Sequence, residues 1–307
     1  MRSFPLARLD ARAGRLYFGV QALAGITWWL GVFLVPGVAK ATLGELNPVI
    51  VACFDLPLFV AASGAVALGA RRAVWIVVPW TVLVALGMAV YASVTTLAGW
   101  GALLMVAAAI ASVAAGLLAW LGRLPLELII SGPLSFRPAR ATTSAGILAQ
   151  TALQIVVVWG LSLGVVPAAI AFFEARWGLR LDWPAWVPTA GWAVFSCASP
   201  LGVWAAVSMS MVGRGTPLPS AMAHRLVIAG PYLWVRNPMA VAGVTQAVAV
   251  GLVMGSWLVV LYAFAGALAW NYAVRPQEEA DLSTRFGAQF DDYRDRVSCW
   301  VPRRRYR

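Results

Sequence analysis

The sequence predicts an all-α, polytopic membrane protein with about eight transmembrane helices, the last two a helical hairpin, and a cytosolic C-terminal helical tail. Three observations predict it. Of 307 residues, 61% are apolar and only 11% charged, with 16 Trp and a mean hydropathy of +0.80, more oil than a water-soluble core can hide. The apolar residues fall into runs of about 20, the length that crosses a hydrocarbon layer of about 30 Å. Arg residues collect in alternate loops, the bias that orients a chain in a membrane.

Taken in order, apolar runs near 17–38, 49–70, 73–94 and 99–121 make a four-span N-terminal unit, residues 1–121. The first follows Arg residues as a signal peptide would. At about 22 residues it is longer than an h-region, and no small-residue cleavage site ends it, so it is expected to remain as a span. Asp55 lies in the second run, two residues before Pro57. An intramembrane carboxylate is a functional candidate by default; capping or a local hydrogen bond explains it equally well. Residues 122–146 hold three Arg and three Pro and read as a cytosolic linker. A second four-span unit, 147–307, has runs at 147–170, 188–212 and 239–274. As one helix the last run would reach about 54 Å, so a reversal near Gly251 or Gly255 is expected. Gln150 and Gln154, one turn apart in the fifth run, are expected to bond to neighbouring helices.

Eight spans put both termini on one side. All of the 23 basic residues except Lys40, Arg176 and Arg180 then share that side, so both ends are expected in the cytosol. The same distribution argues against nucleic acid as a partner, because the charge is spread over loops and forms no basic face interleaved with aromatics. Anionic lipid headgroups are the expected partners. Cys53, Cys197, Cys299 and the single His, His224, show no paired or ligand spacing, and neither a disulfide nor a metal is expected. Abundant Ala, Arg and Val with one Lys imply a GC-rich, bacterial coding sequence, hence a bacterial inner membrane.

Two segments carry specific polar residues. The loop 213–238 ends in GPYLWVRNPM, whose Gly-Pro and Asn-Pro steps force a non-helical path at the membrane surface. Such backbone is tolerated beside hydrocarbon only when buried in protein or lining a polar cavity. After the apolar run, RPQEEADL places Pro276 at what reads as the first turn of a new helix. Glu278 and Glu279 share that turn, and Leu282, Phe286 and Phe290 follow at i+4 spacing as its buried face. Carboxylates in a first turn gain about 0.3–1 kcal/mol each from the helix dipole and need no ligand. Asp291 with Arg294 and Asp292 with Arg296 read as surface pairs.

The order of the pieces adds to this. GPYLWVRNPM, an apolar hairpin, RPQEEADL, RFGAQFDDY and WVPR together resemble the isoprenylcysteine carboxyl methyltransferase and phospholipid methyltransferase superfamily, over about residues 187–303. The resemblance implies a membrane-embedded, S-adenosyl-L-methionine-dependent methyltransferase acting on a lipophilic acceptor from the bilayer, a small molecule or lipid-linked group bearing a carboxylate, thiol or amine. It implies a cofactor pocket of His224, Gly230, Pro231, Tyr232, Arg236, Asn237, Pro238, Glu278 and Glu279. Either Glu would hold the cofactor's amino group and Arg236 its carboxylate, while Tyr232 and the Gly230–Pro231 backbone shape the nucleoside end. Arg236, Asn237 and Glu279 are the catalytic candidates. Arg275 would hold an anionic acceptor, or serve as a snorkelling anchor.

The loop departs from the family pattern, which commonly reads His-Pro followed by Tyr where this chain has Asn237, Pro238 and Ala240. Asn cannot titrate near neutrality, and His224 is the one substitute available. Methyl transfer from a sulfonium to a carboxylate or thiolate depends on alignment and desolvation more than on proton transfer. An amine would first have to lose a proton. Two other classes compete: an NADPH-dependent membrane reductase of the steroid and sterol type, whose phosphate-binding cations have no evident place here, and a transporter or scaffold built around Asp55 and the first four spans.

Overall fold

The computed structural model describes residues 9–126, 143–216 and 223–302, and all regular structure among them is helical. Most of the expected linker, 127–142, lies outside the described residues, as do Arg2, Arg8 and the Arg run after 302. The helices, in chain order, are α1 (Ala11–Leu34), α2 (Pro36–Leu43), α3 (Pro48–Ala67), α4 (Arg71–Thr95), α5 (Gly99–Leu121), α6 (Ser144–Arg176), α7 (Val187–Gly213), α8 (Pro238–Met254), α9 (Trp257–Phe286) and α10 (Ala288–Arg296). Seven of these are long and apolar enough to cross a membrane, as befits an integral membrane protein. The expected eighth span is α8, which at 17 residues reaches about 25 Å and is therefore short. The short α2 was not visible in the hydropathy.

Helix starts follow from the side chains that precede them. Asp10, Asn47, Thr143, Asn237 and Ser256 each accept from a backbone N–H in the first turn of α1, α3, α6, α8 and α9, satisfying donors that have no intrahelical partner. The α8–α9 hairpin reverses at Gly255, whose φ of 59° is the left-handed region that glycine enters without strain.

One expectation fails. Pro276 does not begin a new helix: α9 continues through it to Phe286, passing through a π-helical stretch, Trp270–Val274, immediately before it. The widened turn takes up the lost N–H, so the chain bends without stopping. Glu278 and Glu279 are thus not at a free helix N-terminus, and the dipole explanation for them falls away. The break comes instead at Gly287, φ 53°, which puts Phe290 on α10 while Leu282 and Phe286 stay on α9. At 30 residues, α9 extends about 45 Å. Its apolar part ends at Val274, and the charged residues of the helix lie in Arg275–Phe286.

The chain forms two compact units, Met1–Pro125 with Phe173–Leu179, and Leu126–Phe172 with Arg180–Arg307. In the first, Phe18, Trp29, Val66, Val77 and Ala119 form the core. Asp55 accepts from the indole N–H groups of Trp29, at 2.9 Å, and Trp80, at 3.2 Å, so a local pairing accounts for this carboxylate. Gln21 donates to Ser63 and accepts from Tyr17 and Ser112, tying α1, α3 and α5 together. In the second unit α8 packs between α7 and α9, and the fit is close. A Cβ on Gly191 of α7 would lie 2.8 Å from the backbone N of Val253.

Candidate functional site

The loop 223–237 and the segment after α9 are laced together. Arg236 is the centre: its backbone N–H donates to Ser298 O at 2.9 Å, and its guanidinium donates to Arg294 O (2.6 Å), Val297 O (3.1 Å) and Glu279 Oε1 (2.9 Å). The Tyr293 hydroxyl donates to Tyr232 O at 2.6 Å. Burial keeps the Tyr293 phenol well above its ordinary pKa despite the nearby Arg236 charge, so it stays a neutral donor. Further along, Trp300 donates to Asn271 Oδ1 at 2.8 Å and meets Trp270 edge to face, anchoring the end of the chain on the π-helical stretch of α9.

The loop's turn depends on Gly230. Its φ is 56°, and a Cβ would come within 2.5 Å of Ser208 Oγ and 2.9 Å of Trp204 Nε1, so a larger residue is excluded both by the backbone and by α7. Asn237 accepts from Ala240 N at 2.9 Å, which makes it the cap of α8.

Together these elements enclose a cavity of about 540 Å³ between the loop, α6, α8, α9 and α10. Its wall is charged at one end, with Arg225, Arg236, Arg275, Glu278 and Glu279, and apolar at the other, where Val244, Ala247, Ala263 and Ala267 face Ile155 and Val158 of α6. Leu282, Phe286 and Phe290 line the charged end, although a helix break separates the third from the first two.

Among the sequence candidates, Tyr232, Arg236, Asn237, Arg275, Glu278 and Glu279 all line this one cavity. Gly230, Pro231 and Pro238 do not line it. His224 is exposed and does not line it. The two carboxylates differ. Glu279 is paired with Arg236 and lies 3.9 Å from Arg275 Nε. Glu278 has no ion pair among the described residues and lines the cavity. Its carboxyl is pushed up to about 7, first by burial, then by the negative charges of Glu279 and Asp281.

The sequence reading missed Tyr293 and Cys299, which also line the cavity; the Tyr of RFGAQFDDY was visible as part of a motif but carried no assigned role. It also placed Gln154 in helix packing, whereas Gln154 lines the cavity and its Oε1 is buried with no partner among the described residues.

S-adenosylmethionine combines an ammonium, a carboxylate, a sulfonium and a nucleoside, and this donor set suits it. Among the described residues, a carboxylate without an ion pair, two buried guanidinium N–H groups without a hydrogen-bond acceptor (Nε of Arg236 and Arg275) and aromatic rings meet in one cavity. Residues 187–289, in the C-terminal part of the chain, match the family model described as phospholipid methyltransferase. No curated protein and no solved structure matches the chain.

Proposed function

We propose that the C-terminal unit is an S-adenosylmethionine-dependent methyltransferase that modifies a lipophilic acceptor drawn from the bilayer, in a bacterial inner membrane with both termini cytosolic. The observation that carries this is the joining of loop and α9, both in the segment that matches a methyltransferase family, around one cavity that is charged at one end and apolar at the other.

In this reading Glu278 holds the cofactor's ammonium, because Glu279 is already committed to Arg236. The Nε–H groups of Arg236 and Arg275 take carboxylates, Arg236 that of the cofactor and Arg275 that of an anionic acceptor. Glu279 positions both cations. Asn237 fixes the start of α8 beside the reacting centre, and Tyr232, pinned by Tyr293, shapes the nucleoside end. The cofactor supplies an electrophilic methyl group. The protein aligns the acceptor and excludes water, which suffices when the acceptor is already an anion.

The test is thermal stabilisation of the purified protein by S-adenosylhomocysteine and by NADPH, followed by incubation of membranes with methyl-labelled S-adenosylmethionine and identification of the labelled lipid. Stabilisation by the homocysteine analogue, lost when Glu278 and Glu279 are both changed to Gln, is expected. Stabilisation by NADPH alone would replace this reading with the reductase.

A further inference from the structure

We propose that Gln154 selects the base of the cofactor: its side-chain amide pairs with the 6-amino edge of adenine, making an adenine subsite on α6, outside the segment that matches the family model. The inference deepens the S-adenosylmethionine reading of the cavity and rests on it. Gln154 lines the cavity, and its Oε1 is buried with no hydrogen-bond donor among the described residues. Helix packing does not account for it. α6 is tied to α7 by Thr151 and Ser210, whose hydroxyls lie 2.8 Å apart, and to α9 by Tyr262, whose hydroxyl donates to Ser162 O at 3.2 Å. A buried amide oxygen left without a donor destabilises the fold, so packing alone would favour an apolar residue at this position.

The same two ties fix the depth of Gln154. It lies three residues beyond Thr151, about 4.5 Å. Gly230 sits against α7 two residues before Ser210, where its Cβ would meet Ser208 Oγ at 2.5 Å. Gln154 and the Gly230 turn are therefore within about one helical turn of the same level. From the other side, α6 and α9 run in opposite senses, with three reversals between them. Eight residues from Ser162 back to Gln154 match eight from Tyr262 on to Trp270, about 12 Å. Trp270 also lines the cavity and is held edge to face by Trp300, with ring centroids 5.3 Å apart. An amide and a fixed indole thus share one level, about 12 Å along α9 from Glu278.

That pair suits a purine. A side-chain amide presents a donor and an acceptor side by side, and glutamine pairs in this way with the 6-amino group and the neighbouring ring nitrogen of adenine. The terminal torsion of the side chain is two-fold, so a half-turn brings either end of the amide to the cavity. The indole offers a face on which the base can stack. The separation suits the cofactor too. About a dozen covalent bonds join its ammonium to the 6-amino nitrogen, a reach of about 13 Å at about 1.1 Å per bond of extended chain. With the ammonium on Glu278, the base arrives at Gln154.

The test is titration calorimetry on purified full-length protein with S-adenosylhomocysteine and with its 6-deamino analogue, in which hydrogen replaces the 6-amino group. Wild type, Gln154→Leu, Gln154→Met and Gln150→Leu are compared. Wild type should bind the analogue about tenfold more weakly, the loss of one buried hydrogen bond. Both Gln154 variants should bind the two ligands within about twofold of each other. Loss of packing would instead weaken both ligands in proportion and leave their ratio unchanged. Gln150, one turn away, is exposed and does not line the cavity, so Gln150→Leu should keep the wild-type preference. Equal binding of the two ligands by wild type, or a preference that survives both Gln154 variants, overturns the adenine subsite and leaves the cofactor reading standing. A wild-type protein that binds neither ligand overturns both.

Discussion

At the scale of single residues, the informative contrast is between Glu278 and Glu279, neighbours whose roles separate because adjacent helical positions point about 100° apart. Glu278→Gln removes a carboxylate that lines the cavity with no ion pair among the described residues and should weaken S-adenosylhomocysteine binding at least tenfold, about 1.4 kcal/mol, with little change in melting temperature. Glu279→Gln breaks the bridge to Arg236, whose side chain is only 15% exposed. It should cost stability, about 1–3 kcal/mol for a charged hydrogen bond, and so be read first in thermal unfolding. The raised pKa of Glu278 makes a second, independent prediction. A carboxyl that keeps its proton up to about pH 7 favours the folded state most below its unfolded value of 4.5, and that contribution is lost as the pH rises through 7. Binding of an ammonium group runs the other way, needing the ionised form. Titration calorimetry with S-adenosylhomocysteine should show affinity rising from pH 6 to pH 8 in the wild type and flat in Glu278→Gln. In the first unit, Asp55→Leu strips the acceptor from two indole N–H groups, at about 1–3 kcal/mol each, and should lower the melting temperature.

At the scale of elements, the sequence was readable where composition sets the structure and misleading where two backbone effects compete. The long apolar runs, the reversal at Gly255 and the Asx and hydroxyl caps all follow from local rules. Pro276 did not, because a proline reads equally as a helix start or as an interior bend. What settles it is the π-helical stretch before it, and the same device recurs: Leu56–Ala61 contains Pro57, and Gly160–Val165 precedes Pro167. In each case a widened turn lets a membrane helix carry a proline without breaking. Phe290 shows the reverse error, an i+4 pattern that crosses a helix break at Gly287 yet still reaches the same wall, because α10 folds back onto the cavity. Glycines were also ambiguous in one dimension. Gly191 and Gly266 look alike in sequence, but the first admits the backbone of α8 and the second lines open space. Gly191→Leu should therefore force α7 and α8 apart and destabilise the protein by several kcal/mol, as overpacking does at backbone contacts (about 1–3 kcal/mol or more), measurable as a large fall in melting temperature in detergent, whereas Gly266→Leu should leave it unchanged or raised.

At the scale of the whole molecule, the methyltransferase-like order of motifs was legible because it is local in sequence, each piece sitting within a few residues of its neighbours. The cavity was not, since α6 contributes Gln154, Ile155 and Val158 from a helix whose apolar pattern gives no hint of which face is lined by open space. Orientation rests on charge alone, and here α8 is the element that decides. With 17 residues it covers about 25 Å, against a hydrocarbon layer of about 30 Å, so the hairpin tip either reaches the far side by local thinning of the bilayer or stops inside it. The Arg distribution fits both, because a hairpin returns the tail to the side it left. The tip itself discriminates: Gly255 is followed by Ser256, Trp257 and the start of α9, and Trp183 Cδ1 approaches within 3.9 Å of a Cβ at Gly255, which puts an aromatic of the type that favours membrane interfaces beside the turn. We therefore expect a crossing. Alkaline phosphatase fused after Gly255 should be active in a bacterial host, and fused after the C-terminus inactive, while a fluorescent protein at the C-terminus should fold and emit. An inactive fusion at Gly255 combined with a fluorescent C-terminus would mean that the hairpin dips into the membrane from the cytosolic side without passing through it.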